Sequence, residues 1–242
     1  MDQKQSNMIY LLFFLCGASL ASFLQLISYR RSQKEQWIQG RSHCDFCGKN
    51  LSVVARIPIF HYFILKGKSQ CCGKKLEKKY PIIEFLGGLL SILLFYKIGE
   101  ISFLFWFIGG FYFLFLFLAL EDISTMEVYI RDLVFLFFMA LLCRIILGSF
   151  SIVSFALVSV ACFAFHFIKK NSFGMGDSAL LSILSLFHNS FIEFLWVVAL
   201  GFGMASLYGG FLLFQKKGSR KTKIPLFPFL LLGSLVSFLL FY

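Results

Sequence analysis

Long, nearly unbroken runs of apolar residues alternate with short polar segments along this chain. Runs of about 18 or more apolar residues mark membrane-spanning helices, because crossing a bilayer core takes roughly 20 helical residues. The first run covers 8–28, and others fall near 81–97, 101–120, 132–148, 150–168 and 225–242. The stretch 178–215 supplies two more, drawn as 178–199 and 200–215, with the division sought near His188-Asn189-Ser190. The expected fold is all-α: a polytopic membrane protein of about eight transmembrane helices. Barrel strands would instead alternate apolar and polar positions in segments of about ten residues. The expected organisation is a first transmembrane helix in 1–28, a polar loop rich in cysteine in 29–80, and a transmembrane core in 81–242.

Composition strengthens this reading. Hydrophobic types make up 59% of the 242 residues, and only 14% are charged. Soluble domains average roughly 25% charged. The net charge of +11 does not indicate a nucleic-acid partner, because the basic residues flank apolar runs and lack interleaved aromatics. They orient the chain instead. Twenty of the 23 Lys and Arg fall in 29–80, 121–131, 169–177 and 215–224, four loops that alternate helices place on one side. The positive-inside rule makes that side the cytoplasm and puts both ends of the chain outside. The first run reads as an uncleaved anchor rather than a signal peptide: only Lys4 precedes it, balanced by Asp2, while 12 Lys and Arg follow in 29–80.

The loop 29–80 is too small and too charged to fold on a core of its own, so it needs a staple. Cys44-Asp-Phe-Cys47 is followed by Cys71-Cys72-Gly73. Two thiolates on one tight turn and two on another can close a tetrahedron around zinc, and a reducing cytoplasm favours metal over disulfide. A regular second CxxC would need a cysteine where Ser69 stands. The candidate ligands are Cys44, Cys47, Cys71 and Cys72, with His43 nearby. A metal-free loop with remnant or redox-active thiols is the other reading. Cys16, Cys143 and Cys162 lie in apolar runs and read as packing residues.

Acids are scarce, and an ionisable group at membrane depth is costly. Asp177 closes Gly174-Met-Gly-Asp177 at the start of a run, where two glycines would allow close backbone approach and positive φ. Asp122 follows the run FLFLFLALE. Either could simply serve a helix end, Asp177 as an N-cap and Asp122 as an interfacial charge. Both, however, belong to cytoplasmic helix ends. Two carboxylates sharing a proton can activate water and protonate a leaving amine.

These segments, in this order, resemble the type IV prepilin leader peptidases. Ala21 to Arg30 is similar to that family's GSFLNVVIYR. Cys44-x-x-Cys47, Ile57-Pro58, Lys66-Gly-Lys68 and Cys72-Gly73 resemble its cysteine loop, and Tyr80-Pro81-Ile-Ile-Glu84 its YPLVE segment. Asp122-Ile-Ser-Thr-Met and Gly174-Met-Gly-Asp177 are similar to its two catalytic stretches, and Pro225-Leu-Phe-Pro228-Phe to its final helix opening. The resemblance implies an eight-helix aspartic endopeptidase of the GxGD type in the bacterial plasma membrane, with its active site toward the cytoplasm. It would cleave the leader of type IV pilin-like or pseudopilin precursors, and many members also methylate the new N-terminus with S-adenosylmethionine. Asp122 and Asp177 would be the dyad, Gly174 and Gly176 would shape substrate approach, and Glu84 would lie near the site. The chain departs from the family at Ala21, Gln25, Ser69 and Tyr129-Ile130, and keeps both aspartates.

Two rival readings stand beside this one. A methyltransferase-only member would keep the fold. A transporter or assembly scaffold would use acids as ion ligands in mid-helix, whereas here they cluster at helix ends, with Glu193 the main exception.

Overall fold

The computed structural model describes residues 3–35, 43, 44, 46–50, 52, 57–148, 152–168, 174–188, 190–217, 219 and 222–242. Among these residues the regular elements are helices: α1 (Gln3–Ser32), α2 (Phe60–Ile64), α3 (Lys79–Ile98), α4 (Phe103–Thr125), α5 (Ile130–Leu147), α6 (Ile152–Ile168), α7 (Met175–Phe187), α8 (Phe191–Phe214) and α9 (Phe227–Phe241). Four helical segments among the described residues are long and apolar enough to cross a membrane: 7–32, 79–98, 103–125 and 191–214. α6, α7 and α9 are shorter apolar helices. The all-α, polytopic expectation therefore holds.

Local chemistry sets the ends. Ser102 and Ser190 cap α4 and α8 by accepting from the amides of Phe105 and Glu193. Gly99 and Gly148 close α3 and α5 in the left-handed conformation, at φ 78° and 64°. The division in 178–215 falls where the polar triplet suggested, although Asn189 itself lies outside the described residues. It falls well before 199, so α7 has only 13 residues and α8 has 24. At 1.5 Å per residue α7 is about 20 Å long, short of a roughly 30 Å hydrocarbon core.

The chain separates into two compact units, Met1–Glu100 and Ile101–Tyr242. In the first, α1 packs along α3. The approach is close because the contact is built from small residues. A Cβ on Gly17 would collide with the Gly87 carbonyl, and one on Gly87 with Ala21. Phe13 stacks on Phe95 at 4.2 Å beside this seam.

In the second unit α4 packs against α5 and α9, α6 and α5 flank α7, and α8 pairs with α9. Phe111, Tyr112, Phe115 and Leu118 on α4 are fully buried. The Phe111 ring stacks on Phe187 of α7 at 3.8 Å, with the planes 1° apart. Large apolar side chains remain exposed on the outer faces, among them Trp106, Phe138, Leu157 and Leu207. In water such a surface would be a liability, but in a bilayer it meets its solvent.

Candidate functional site

The cysteine loop forms two similar knuckles. An isolated antiparallel bridge joins His43 to Asn50, and a second joins Lys68 to Lys75. Inside the first, the Cys44 amide donates to the Lys49 carbonyl and the Gly48 amide to the Cys44 carbonyl, both at 2.9 Å. Inside the second, the Ser69 amide donates to the Lys74 carbonyl at 2.8 Å and the Gly73 amide to the Ser69 carbonyl at 2.9 Å. Gly48 and Gly73 both sit at φ 69°, a turn that favours glycine. Ser69 thus occupies the place in its knuckle that Cys44 holds in the other.

Even so, four sulfurs gather. The Sγ atoms of Cys44, Cys47, Cys71 and Cys72 lie within 4.8 Å of one another and could hold a metal ion. Cys44 and Cys72 are 3.8 Å apart. With zinc–sulfur bonds of about 2.3 Å, a tetrahedron has edges of about 3.8 Å. Cys47 and Cys71 are closer, at 3.2 Å. His43 is not part of the cluster; it lines a neighbouring cavity. Burial pushes the Cys44 thiol up, but hydrogen bonds with the Ser69 hydroxyl, the Phe46 and Cys47 backbone and the Cys71 thiol outweigh this and bring it to about 6. The Lys49 backbone pulls Cys47 down, but its hydrogen bond with Cys71 and the nearby Cys44 push it up to about 11. The cluster therefore offers a ready thiolate to a cation.

Glu84 belongs to the same unit, on the second turn of α3. Its Oε1 accepts from Ser22 Oγ at 2.7 Å and its Oε2 from the Ile59 amide at 2.6 Å.

Asp122 and Asp177 both belong to the second unit. Asp122 lies on the last turn of α4 and is buried. Its Oδ2 accepts from the Phe227 amide at 3.0 Å, so the carboxylate sits at the N-terminus of α9. A helix N-terminus holds an anion well, since its first amides lack helical partners. Asp177 lies on the first turn of α7, half-buried, and within electrostatic reach of Asp122. Its Oδ2 accepts from the Gly174 amide at 3.3 Å. This is half of a capping box, because glycine has no side chain to return the bond. The helix-cap role weighed for Asp177 is thus filled by the carboxylate that Asp122 influences electrostatically.

The glycines act differently from each other. A Cβ on Gly174 would stand 3.0 Å from Asp177 Oδ2, whereas one on Gly176 would meet nothing within 4 Å. Neither adopts positive φ; Gly174 is extended, at φ −70°. Gly174 therefore clears space for the carboxylate rather than making a left-handed turn.

One constellation was not legible in the sequence. His188, at the end of α7, brings Nε2 to 3.0 Å from Ser234 Oγ on α9 and Nδ1 to 3.8 Å from Glu193 Oε2 on α8. The Tyr112 hydroxyl donates to the Ser234 carbonyl at 3.0 Å, and Arg144 Nε to the Leu186 carbonyl at 3.1 Å. A serine, a histidine and a carboxylate in line resemble a nucleophilic triad. Ser234 has no exposed surface, however, so the group ties helices together rather than meeting substrate. Polar residues isolated in apolar runs were the available signal.

Residues 15–98 match the family model described as the bacterial peptidase A24 N-terminal domain. A prepilin leader peptidase/N-methyltransferase of Klebsiella pneumoniae is 29% identical over 89 residues, covering 34% of this chain and 39% of that protein. One of Bacillus subtilis is 32% identical over 77 residues, covering 32% and 31%. A type 4 prepilin-like proteins leader peptide-processing enzyme of Escherichia coli is 36% identical over 53 residues, covering 22% and 20%. The N-terminal part of the chain is similar to the prepilin peptidase family. The family model takes in the cysteine knuckles and Glu84 and ends before α4, so both aspartates lie beyond it. The match to the first of these relatives spans about two fifths of that protein's length. No solved structure matches the chain.

Proposed function

We propose that this chain is a membrane aspartic endopeptidase that removes the leader from type IV pilin-like precursors at the cytoplasmic face, with Asp122 and Asp177 as its dyad. The observation that carries this reading is that the last turn of α4 and the first turn of α7 each bear one of these carboxylates, within electrostatic reach of each other in a single unit. One carboxylate of such a pair takes a proton from water as it attacks the scissile carbonyl. The other donates a proton, first toward the carbonyl oxygen and then to the leaving amine. The proton belongs to the pair rather than to either residue. A precursor whose hydrophobic helix lies in the same bilayer would present its scissile bond at the interface. The excess of Lys and Arg in 29–80 and 215–224, which alternate helices put on the same side as 121–131 and 169–177, supports a cytoplasmic position for that interface.

The relatives' names also include N-methyltransferase activity, which favours a second step on the new N-terminus. S-adenosylmethionine would supply the methyl group. Zinc on Cys44, Cys47, Cys71 and Cys72 would staple the loop that the family model covers.

The test is cleavage of a pilin-like precursor by the purified protein, beside D122N and D177N. Loss of cleavage in both variants, with melting temperatures retained, is the expected result. Normal cleavage by either one removes it from the dyad.

A further inference from the structure

The segment 29–80 is polar and charged as a whole, yet the short helix α2 inside it turns large apolar side chains outward. Phe60, Phe63 and Ile64 are each more than half exposed. α2 has only five residues and belongs to none of the candidate membrane spans, so facing lipid along a span does not account for them.

A tether sets the depth of α2. The Ile59 amide, just before the helix, donates to Glu84 Oε2 at 2.6 Å, and Ser22 Oγ donates to Glu84 Oε1 at 2.7 Å. At 1.5 Å per residue, Glu84 lies about 5 Å inside the start of the apolar run 81–97, and Ser22 about 9 Å inside the end of the run 8–28. α2 therefore begins level with the outer turns of two apolar helices rather than beyond their ends. Helices that lie in a membrane interface bury their apolar faces by roughly 5–10 Å at the boundary between headgroups and acyl chains. At the same level α3 exposes Ile82 and Phe85.

The backbone suits that layer. Amides at membrane depth need partners within the protein. Those of Phe60, His61, Phe63 and Leu65 donate to carbonyls within 57–61, and that of Ile59 has the Glu84 carboxylate.

The charge beside α2 fits one kind of surface. The chain runs from α2 straight into the second knuckle, where Lys66, Lys68, Lys74 and Lys75 are all exposed. None of the four has an ion pair among the described residues. Glu77 is the one acid in 57–79, and it pairs with Lys79 at 2.8 Å. Lysines next to an inserted apolar face attract anionic headgroups.

We propose that α2 inserts into the bilayer leaflet on its own side, with Phe60, Phe63 and Ile64 among the acyl chains and Lys66, Lys68, Lys74 and Lys75 on anionic headgroups. The cysteine loop is then docked on the membrane rather than held clear of it. The inference does not depend on the aspartate dyad.

The experiment uses the full chain in nanodiscs of phosphatidylcholine, with and without phosphatidylglycerol. The emission that F63W adds to the parent's tryptophan signal should fall at least about twofold when the lipid carries bromine high on its acyl chains, and should resist iodide in the water. Quenching by iodide and not by brominated lipid overturns the proposal. Quenching by neither assigns this face to protein packing and overturns it too. Amide hydrogen exchange over 57–67 in the parent needs no substitution, so it serves even where F63W misfolds. Exchange about fivefold slower with phosphatidylglycerol is expected, and K66Q/K68Q/K74Q/K75Q should lose that difference. Equal exchange of the parent in the two lipid mixtures overturns the headgroup contacts.

Discussion

The Phe227 amide donates to Asp122 Oδ2 at 3.0 Å, fixing a carboxylate at the end of α4 to the first turn of α9. An asparagine can still accept that bond, while an alanine cannot. D122N should therefore keep its melting temperature, and D122A should lose about 1 kcal/mol. In the proposed dyad both should lower precursor cleavage at least about a hundredfold. Thermal unfolding in detergent separates the two effects.

Gly174 and Gly176 should respond unequally to alanine. A Cβ at 174 would press on Asp177 Oδ2, and at 176 it would enter open space. G174A should lower cleavage by roughly tenfold or more through the displaced carboxylate, in line with about 1–2 kcal/mol of misplacement. G176A should fall less. Initial rates under matched protein levels decide this, and the reverse order would count against the geometry.

The knuckles predict an unusual rescue. Ser69 Oγ lies 3.2 Å from Cys44 Sγ and 3.1 Å from Cys71 Sγ. A sulfur at position 69 would join the cluster. C71S should lose zinc on dialysis against a chelator, and S69C/C71S should hold it again, both read as zinc per chain. Retention in the parent should weaken as pH falls below about 6, where protons compete with the metal for the Cys44 thiolate.

The α1–α3 seam gives a stability test. G87L would drive a side chain into Ala21 and the Gly17 carbonyl, where neither neighbour can yield. A loss of about 3 kcal/mol or more is expected, read as early melting of the detergent-solubilised protein.

How far the sequence alone reaches differs by residue. Asp122 stood out because a charge after FLFLFLALE has few ordinary uses in a bilayer. The departure at Ser69 was visible from spacing, and the structure places it at the position matching Cys44. The convergence of His188, Glu193 and Ser234 was hidden. It joins residues up to 46 positions apart, and a serine in an apolar run carries no signal of its partner. The length of α7 was also missed, because hydropathy continues across the break while only a short polar triplet marks it. The positive φ expected at Gly174 is not found. A glycine three positions before an aspartate looks the same whether the missing side chain frees the backbone or makes room for a carboxylate.

The second knuckle has a wider bearing. Its metal-binding capacity follows from where sulfur atoms end up, and Cys71 brings one to the cluster from a register that the first knuckle does not use. A search for two regular C-x-x-C motifs would pass over this loop and count the domain as having lost its centre. Among divergent relatives, apparent decay of a ligand motif can instead be a one-for-one exchange of positions, legible only once the turn is drawn in three dimensions.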